Sequence, residues 1–355
     1  MLHRLDHIPD GLLDCPASEL AGIISDTTLI ELPGDRTPPL FLSVLLHGNE
    51  PTGLAVAQNI LKKYAGGSLP RSILLFIGNV KAAAEDKRRL YDQPDYNRIW
   101  LEGRIDNESD IHLEIAALLH EMARRPLFAS IDIHNNTGIN PHYACINRLE
   151  PAFLNLARRF SRTVIYFVRP SGVQSKAFSH LCPSVTLECG KVGDEYGIQR
   201  ATAFVDEILN SDAIEQTLFV DEDIDLFHTT AVVKVPESIS LSFDGSPANI
   251  RFIQGIESLN FEEIPAHTTL AQLENGVTAP LLVMDEDGEN ITGDIFRVED
   301  GALRNNKPLM PSMLTLDAKV IRQDCLCYVM ERYRIAMGEK FTTDDKPVWK
   351  TEGAS

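Results

Sequence analysis

No stretch of the chain approaches the ~18 consecutive apolar residues that a membrane helix requires. The opening residues Met1 to Leu13 break up their apolar positions with His3, Arg4, Asp6, His7 and Asp10, so a secretory leader is not expected either. Positive charge is scarce: 33 Lys and Arg stand against 51 Asp and Glu, a formal charge of -18. Such a field repels nucleic-acid phosphates and anionic lipid headgroups, which argues against both as partners. A small anionic substrate would need local arginines or a metal to reverse the sign. The six cysteines (Cys15, Cys145, Cys182, Cys189, Cys325, Cys327) lack a paired spacing. Cys325 and Cys327 are too close together for a zinc knuckle and read as strand residues or buried thiols. A chain of 355 residues needs no disulfide staples, and a reduced, cytoplasmic setting is expected. A Gly-x-Ser-x-Gly elbow is also missing, which disfavours a serine hydrolase.

What is present is an ordinary globular composition, 44% apolar and 24% charged, long enough for one large domain and a smaller one. Apolar runs at Pro39 to Leu46, Ile73 to Ile77, Leu127 to Ile133, Val164 to Val168 and Ser184 to Leu187 read as strands buried on both faces, as in parallel sheets. Between them, Thr52 to Lys63, Asp110 to Arg124, Glu150 to Phe160 and Gly197 to Leu209 carry helical spacing. Alternating strands and helices predict a doubly wound, mostly parallel α/β domain over residues 1–215. From about residue 216 short β-rich pieces separated by Gly, Pro, Asn and Asp predict a smaller, mainly-β C-terminal domain over 216–340. The acidic stretch Asp221 to Asp225 reads as a solvated loop or a hinge, and residues 341–355 as a flexible tail.

The first strand leads into His47-Gly48-Asn49-Glu50-Pro51, where a helix begins. Three residues apart, His47 and Glu50 can aim at a common point. Imidazole and carboxylate are both first-choice zinc donors, and catalytic zinc takes three protein ligands and keeps one position open. The third strand supplies a third ligand in His134, at the carboxyl edge of the sheet where open α/β sheets bind ligands. Asp132, two residues earlier on the same side of the strand, either fixes the His134 tautomer or is a satisfied polar core group. The fifth strand ends at Glu188, a poor choice for stability but well suited to moving a proton between water and a leaving amine. A basic cluster at Arg88-Arg89 and Asp95-Tyr96-Asn97-Arg98 offers the local reversal of sign, as a fork for a carboxylate or a donor for an oxyanion. Which of Arg88 and Arg89 points inward is open. His142, close in sequence to His134, either lines the pocket or lies on a loop surface.

Taken in order, His47-x-x-Glu50, Asp95-x-Asn97-Arg98, Asp132-Ile133-His134-Asn135 and Thr186-x-Glu188 resemble the succinylglutamate desuccinylase and aspartoacylase family of the zinc carboxypeptidase superfamily, over roughly residues 40–210. The resemblance implies a sheet of the zinc-carboxypeptidase type and one zinc per chain held by His47, Glu50 and His134. It implies Glu188 as general base and acid toward water activated by the zinc. Asn97 and Arg98 would bind the substrate carboxylate, and Arg89 or Arg88 would polarise the scissile carbonyl. Members that act on acidic acyl groups often carry an arginine in the loop before the catalytic glutamate. Here Pro170 to Pro183 offers Lys176, which joins the substrate-binding candidates and leaves the acyl group open. The expected reaction is deacylation of an N-acyl amino acid, with trimming of short peptides as the alternative; a homo-oligomer is compatible with either. A catalytically silent metal-containing binding protein is a third reading, against which Glu188 argues because a binder needs no proton shuttle. A non-haem iron site also uses two histidines and a carboxylate, but usually with a two-residue spacing on a β barrel.

Overall fold

The computed structural model describes residues 2–101, 109–217 and 224–334. The flexible tail expected over 341–355, and residues 221–223 of the acidic stretch, lie outside these. The chain falls into two compact units, one built from Met1–Asn135 and His142–Asp225, the other from Asn136–Pro141 and Leu226–Tyr333.

In the first unit the strands are β1 (His3–Leu5), β2 (Thr28–Leu32), β3 (Leu40–Val44), β4 (Ile73–Ile77), β5 (Ala129–Asn136), β6 (Tyr143–Ile146), β7 (Thr163–Tyr166) and β8 (Ser184–Lys191). The helices are α1 (Thr52–Lys63), α2 (Val80–Ala83), α3 (Asp110–Met122), α4 (Pro151–Phe160), α5 (Gln174–Phe178) and α6 (Glu195–Asn210). The strand order is β1-β2-β4-β3-β5-β8-β6-β7. Strands β3, β4 and β5 run parallel, with Val44 opposite both Ile77 and Ile133. Every residue of β3 and β4 is buried, which explains sequences that are apolar but for Ser43. The mostly parallel α/β architecture expected from the alternation of runs is the one observed. Strands β1, β2 and β6 are additions to that reading, and β2 and β6 run antiparallel to their neighbours β4 and β8. Two strands also run further than their apolar stretches: β5 continues to Asn136 and β8 to Lys191. His134 and Glu188 therefore lie inside strands, Glu188 paired with Tyr143 of β6.

One face of this sheet packs on an aromatic cluster. Phe41 of β3 and Phe178 of α5 are 4.2 Å apart, and Phe76 of β4 meets Trp100 edge-on at 5.1 Å. Trp100 is buried, donates its indole N–H to the Tyr96 carbonyl at 2.8 Å, and its backbone N–H to Gly172 at 3.0 Å. The segment from Asp95 to Arg98 is thereby fastened to the core.

The second unit contains β9 (Asp225–Lys234), β10 (Leu241–Ser242), β11 (Ile250–Phe252), β12 (Thr269–Leu273), β13 (Leu282–Asp285), β14 (Phe296–Glu299), β15 (Ala302–Asn305), β16 (Met310–Ser312) and β17 (Cys327–Arg332). Strand β9 pairs with β13 and β17, and β17 with β16. The others form a five-stranded sheet ordered β10-β11-β12-β15-β14. Val233, Val283 and Val329 share an apolar core with Ile250, Ala271 and Leu303 of that sheet.

Because Trp100 fills space between the sheet and the Asp95–Arg98 segment, Trp100→Ala should lower unfolding stability by about 3–5 kcal/mol. Chemical denaturation checks this, and a loss below about 1 kcal/mol would contradict the packing assigned to the indole.

Candidate metal centre

After β3 the chain turns at Leu45, whose φ is +55°. Gly48 then passes against the start of the next crossover. A Cβ at this position would sit 2.2 Å from the Ala83 nitrogen and 2.3 Å from the Ala82 carbonyl carbon, so no side chain fits. The Glu50 N–H donates to the His47 carbonyl at 3.2 Å, and the turn it closes sets both side chains on one point. The His47 Nδ1 lies 2.8 Å from Glu50 Oε1. Strand β5 delivers His134, with Nδ1 2.7 Å from Glu50 Oε2. One nitrogen or oxygen atom from each of His47, Glu50 and His134 lies within 4.8 Å of the others, and all three residues are buried.

The outward nitrogens of both rings are also occupied. His134 Nε2 is 2.7 Å from Asp132 Oδ2, and His47 Nε2 is 3.1 Å from Asp95 Oδ1. Each ring thus has Nδ1 against Glu50 and Nε2 against a second carboxylate, Asp132 for His134 and Asp95 for His47. Two imidazole nitrogens and a carboxylate, both rings backed by carboxylates, fit the donor set of a catalytic zinc site. Burial alone would push the Glu50 carboxyl up, but the two imidazoles reverse this and hold it below the usual carboxylate range. Asp95 is held low against the same burial penalty by Arg88 and His47.

Glu188 sits opposite Tyr143 across the β8–β6 ladder and is buried. Burial pushes its carboxyl up to about 8, against the pull of His134. Its Oε2 has no hydrogen-bond partner among the described residues. A carboxyl raised toward neutrality, with an oxygen free of hydrogen bonds, can exchange a proton in either direction, a property suited to general acid and base work.

The remaining candidates separate. Arg88 is buried; its Nε and Nη2 donate to Asp95 Oδ2 at 3.1 and 2.9 Å, and its Nη1 reaches within 3.9 Å of Glu50 Oε1. Arg89 instead donates to the Gln93 carbonyl at 2.9 Å. Asn97 is buried, with Nδ2 3.3 Å from His134 Nε2 and Oδ1 accepting from the Gln174 N–H at 2.9 Å. Arg98 donates to the Asn97 carbonyl at 2.8 Å, and Lys176 to the Val168 carbonyl at 2.8 Å. His142 pairs with Asp194 at 2.9 Å and stacks on the exposed Tyr196. Two residues that sequence reasoning quoted without a role stand at the centre, Asp95 and Asn135. The signal for Asp95 was its place beside Asn97 and Arg98; for Asn135 it was only adjacency to His134.

With this geometry in hand, comparison with known proteins is informative. Residues 36–211 match the model of the succinylglutamate desuccinylase/aspartoacylase catalytic domain, a span that contains His47, Glu50, His134 and Glu188. In fold the chain is similar to succinylglutamate desuccinylase from Chromobacterium violaceum, with 18% identity, a TM-score of 0.55 and coverage of 87% of this chain and 89% of that one. It is also similar to a succinylglutamate desuccinylase/aspartoacylase from Rhodobacter sphaeroides (16% identity, TM-score 0.55, 85% and 88% covered). A third similar structure is murine aminoacylase 3 (14%, 0.53, 85% and 98%). No curated protein sequence matches the chain. The sheet is thus of the zinc-carboxypeptidase type expected from the motifs.

The raised Glu188 carboxyl has a consequence for metal-free protein. Between the ordinary carboxyl value and about 8 the folded state holds a proton that the unfolded state has released, so stability falls as pH rises through that window. Glu188→Gln should flatten this part of the melting temperature profile of chelator-treated protein. Parallel profiles for the variant and the wild type would contradict the burial argument.

Proposed function

Because the chain belongs, through residues 36–211, to the succinylglutamate desuccinylase/aspartoacylase family, we propose that it is a zinc-dependent hydrolase that cleaves an amide bond next to a carboxylate, releasing the acyl group of an N-acyl amino acid. Family membership makes it a hydrolase of amide bonds. The observation that carries it is the buried, unpartnered Glu188 carboxyl on the sheet that presents His47, Glu50 and His134.

His47 Nδ1, His134 Nδ1 and the Glu50 carboxylate would hold one zinc per chain. Bound there, the ion would act as a Lewis acid toward water and the scissile carbonyl. Glu188 takes the proton from water as its oxygen attacks the carbonyl carbon, then passes that proton to the nitrogen as the C–N bond breaks. The products are a carboxylic acid and the free amine. A carboxyl with a value near neutrality can both accept and return the proton. Asp132 and Asp95 keep the two rings in the tautomer that exposes Nδ1.

Arg88 is assigned the carbonyl-polarising role in preference to Arg89, because its guanidinium stands at the edge of the centre while that of Arg89 is taken up by Gln93. Arg98, with Asn97 beside it, is assigned the substrate carboxylate, supplying the local positive charge that a chain of formal charge -18 otherwise lacks. The substrate is a small molecule, and no helix among the described residues is long and apolar enough to cross a membrane. None of the six cysteines forms a disulfide among the described residues, which supports a reducing, cytoplasmic setting.

A panel of N-acyl amino acids and short peptides, presented to zinc-loaded protein, tests the substrate class. Hydrolysis of N-acyl amino acids is expected, whereas cleavage of peptides alone would move the reaction to carboxypeptidase. In Glu188→Gln, zinc content should be unchanged while kcat falls by at least ~100-fold. Metal analysis with steady-state kinetics checks both, and full turnover in this variant would refute the proton-transfer role. Arg88→Ala should cost about 100-fold in kcat and Arg89→Ala little, which single-variant kinetics would distinguish.

A further inference from the structure

Asn135 follows a proposed ligand, yet its own hydrogen bonds lead elsewhere. It is buried at 4% exposure and joins three chain segments. Its backbone N–H donates to Glu50 Oε2 at 3.2 Å. Its side-chain Oδ1 accepts from the Thr52 N–H at 3.2 Å. Its Nδ2 donates to the Gly190 carbonyl at 3.1 Å. The three segments are the turn and helix start that carry His47 and Glu50, the strand end that carries His134, and the strand that carries Glu188.

The Thr52 bond supplies what α1 lacks locally. Helix starts leave backbone N–H groups unsatisfied, and the residue before Thr52 is Pro51, which offers no side-chain cap. Asn135 caps the helix from another strand, and so fixes the helix end next to Glu50. The Gly190 bond acts at the other side. Gly190 has a φ of +76°, and a Cβ there would lie 2.5 Å from His142 Nε2 and 2.6 Å from Asp194 Oδ2. The His142–Asp194 pair thus closes over Gly190, in a conformation that favours glycine, with the carbonyl turned to Asn135. Only a side chain with an acceptor and a donor on one short stem can make both bonds. Aspartate lacks the donor, and glutamine is one methylene longer.

We propose that Asn135 is a positioning residue whose amide sets the spacing between the Glu50 ligand and the Glu188 proton carrier by bracing α1 against β8. The inference rests on the hydrolase reading for its kinetic consequence, but its effect on the metal centre is independent of turnover. Misplacing a reacting group by about 1 Å can cost ~100-fold in rate, so the brace should show itself in kcat rather than in substrate affinity.

The test uses full-length zinc-loaded protein and two substitutions. Asn135→Asp keeps the Thr52 acceptor and the backbone bond to Glu50 while losing the donor to Gly190. It should fold with its zinc retained and show kcat reduced by about 10–100-fold, with KM within about twofold of wild type. Asn135→Ala loses both side-chain bonds. It should in addition release zinc to a chelator at least ~10-fold faster. Wild-type kcat in Asn135→Asp together with wild-type zinc retention in Asn135→Ala would overturn the proposal. If Glu188→Gln is inactive in the same assay, that result counts against the brace alone. If Glu188→Gln is fully active, the hydrolase reading fails, and the chelator experiment on Asn135→Ala decides the brace without it.

Discussion

The first unit is organised around one costly act, the burial of the Glu50 carboxylate. A charge taken out of water persists only where partners replace its hydration, and Glu50 has both imidazoles and the Asn135 N–H. Each partner brings a requirement of its own. His47 turns Nδ1 inward because Asp95 holds Nε2, and Asp95 is tolerated in the interior because Arg88 embraces it. His134 is matched in the same way by Asp132, which has no exposed surface at all. The residues that stabilise the buried charge and those that shape the metal centre are therefore the same.

Glu188 is the exception to this accounting. It is buried on the same sheet, but its carboxyl has no ring or guanidinium bound to it among the described residues, and it responds by holding its proton. Two buried glutamates of one unit are driven in opposite directions: Glu50 is held below the usual carboxylate range, while Glu188 is pushed up to about 8. Pairs of titratable groups pushed apart by their surroundings are how acid and base roles are divided within one site. Here the division follows from which strand or turn carries each glutamate.

Much of this arrangement could be read from residue order. The apolar runs at Pro39 to Leu46, broken only by Ser43, and Ile73 to Ile77 signalled strands buried on both faces, and the helical spacing between runs signalled the crossovers. His47, Glu50 and His134 stood out because their donor types and their places at the carboxyl edge agreed. The antiparallel strand Tyr143–Ile146 was less legible: four residues long, it reads as readily as loop, and becomes a strand because β7 and β8 flank it. The inward turn of Arg88 instead of Arg89 was equally hidden, since adjacent basic residues look alike until Asp95 folds back to claim one of them.

Local chemistry and periodicity determined by themselves the α/β class and singled out the candidate metal-binding trio and Glu188, because each depends on residue type and short-range spacing. Only the tertiary structure decided the strand order, the carboxylate behind each histidine, the arginine beside Glu50 and the partners of Asn135. Those depend on contacts between residues far apart in the chain, such as Asn135 and Glu50, which are 85 positions apart, and no local pattern encodes which distant backbone group a buried amide will meet.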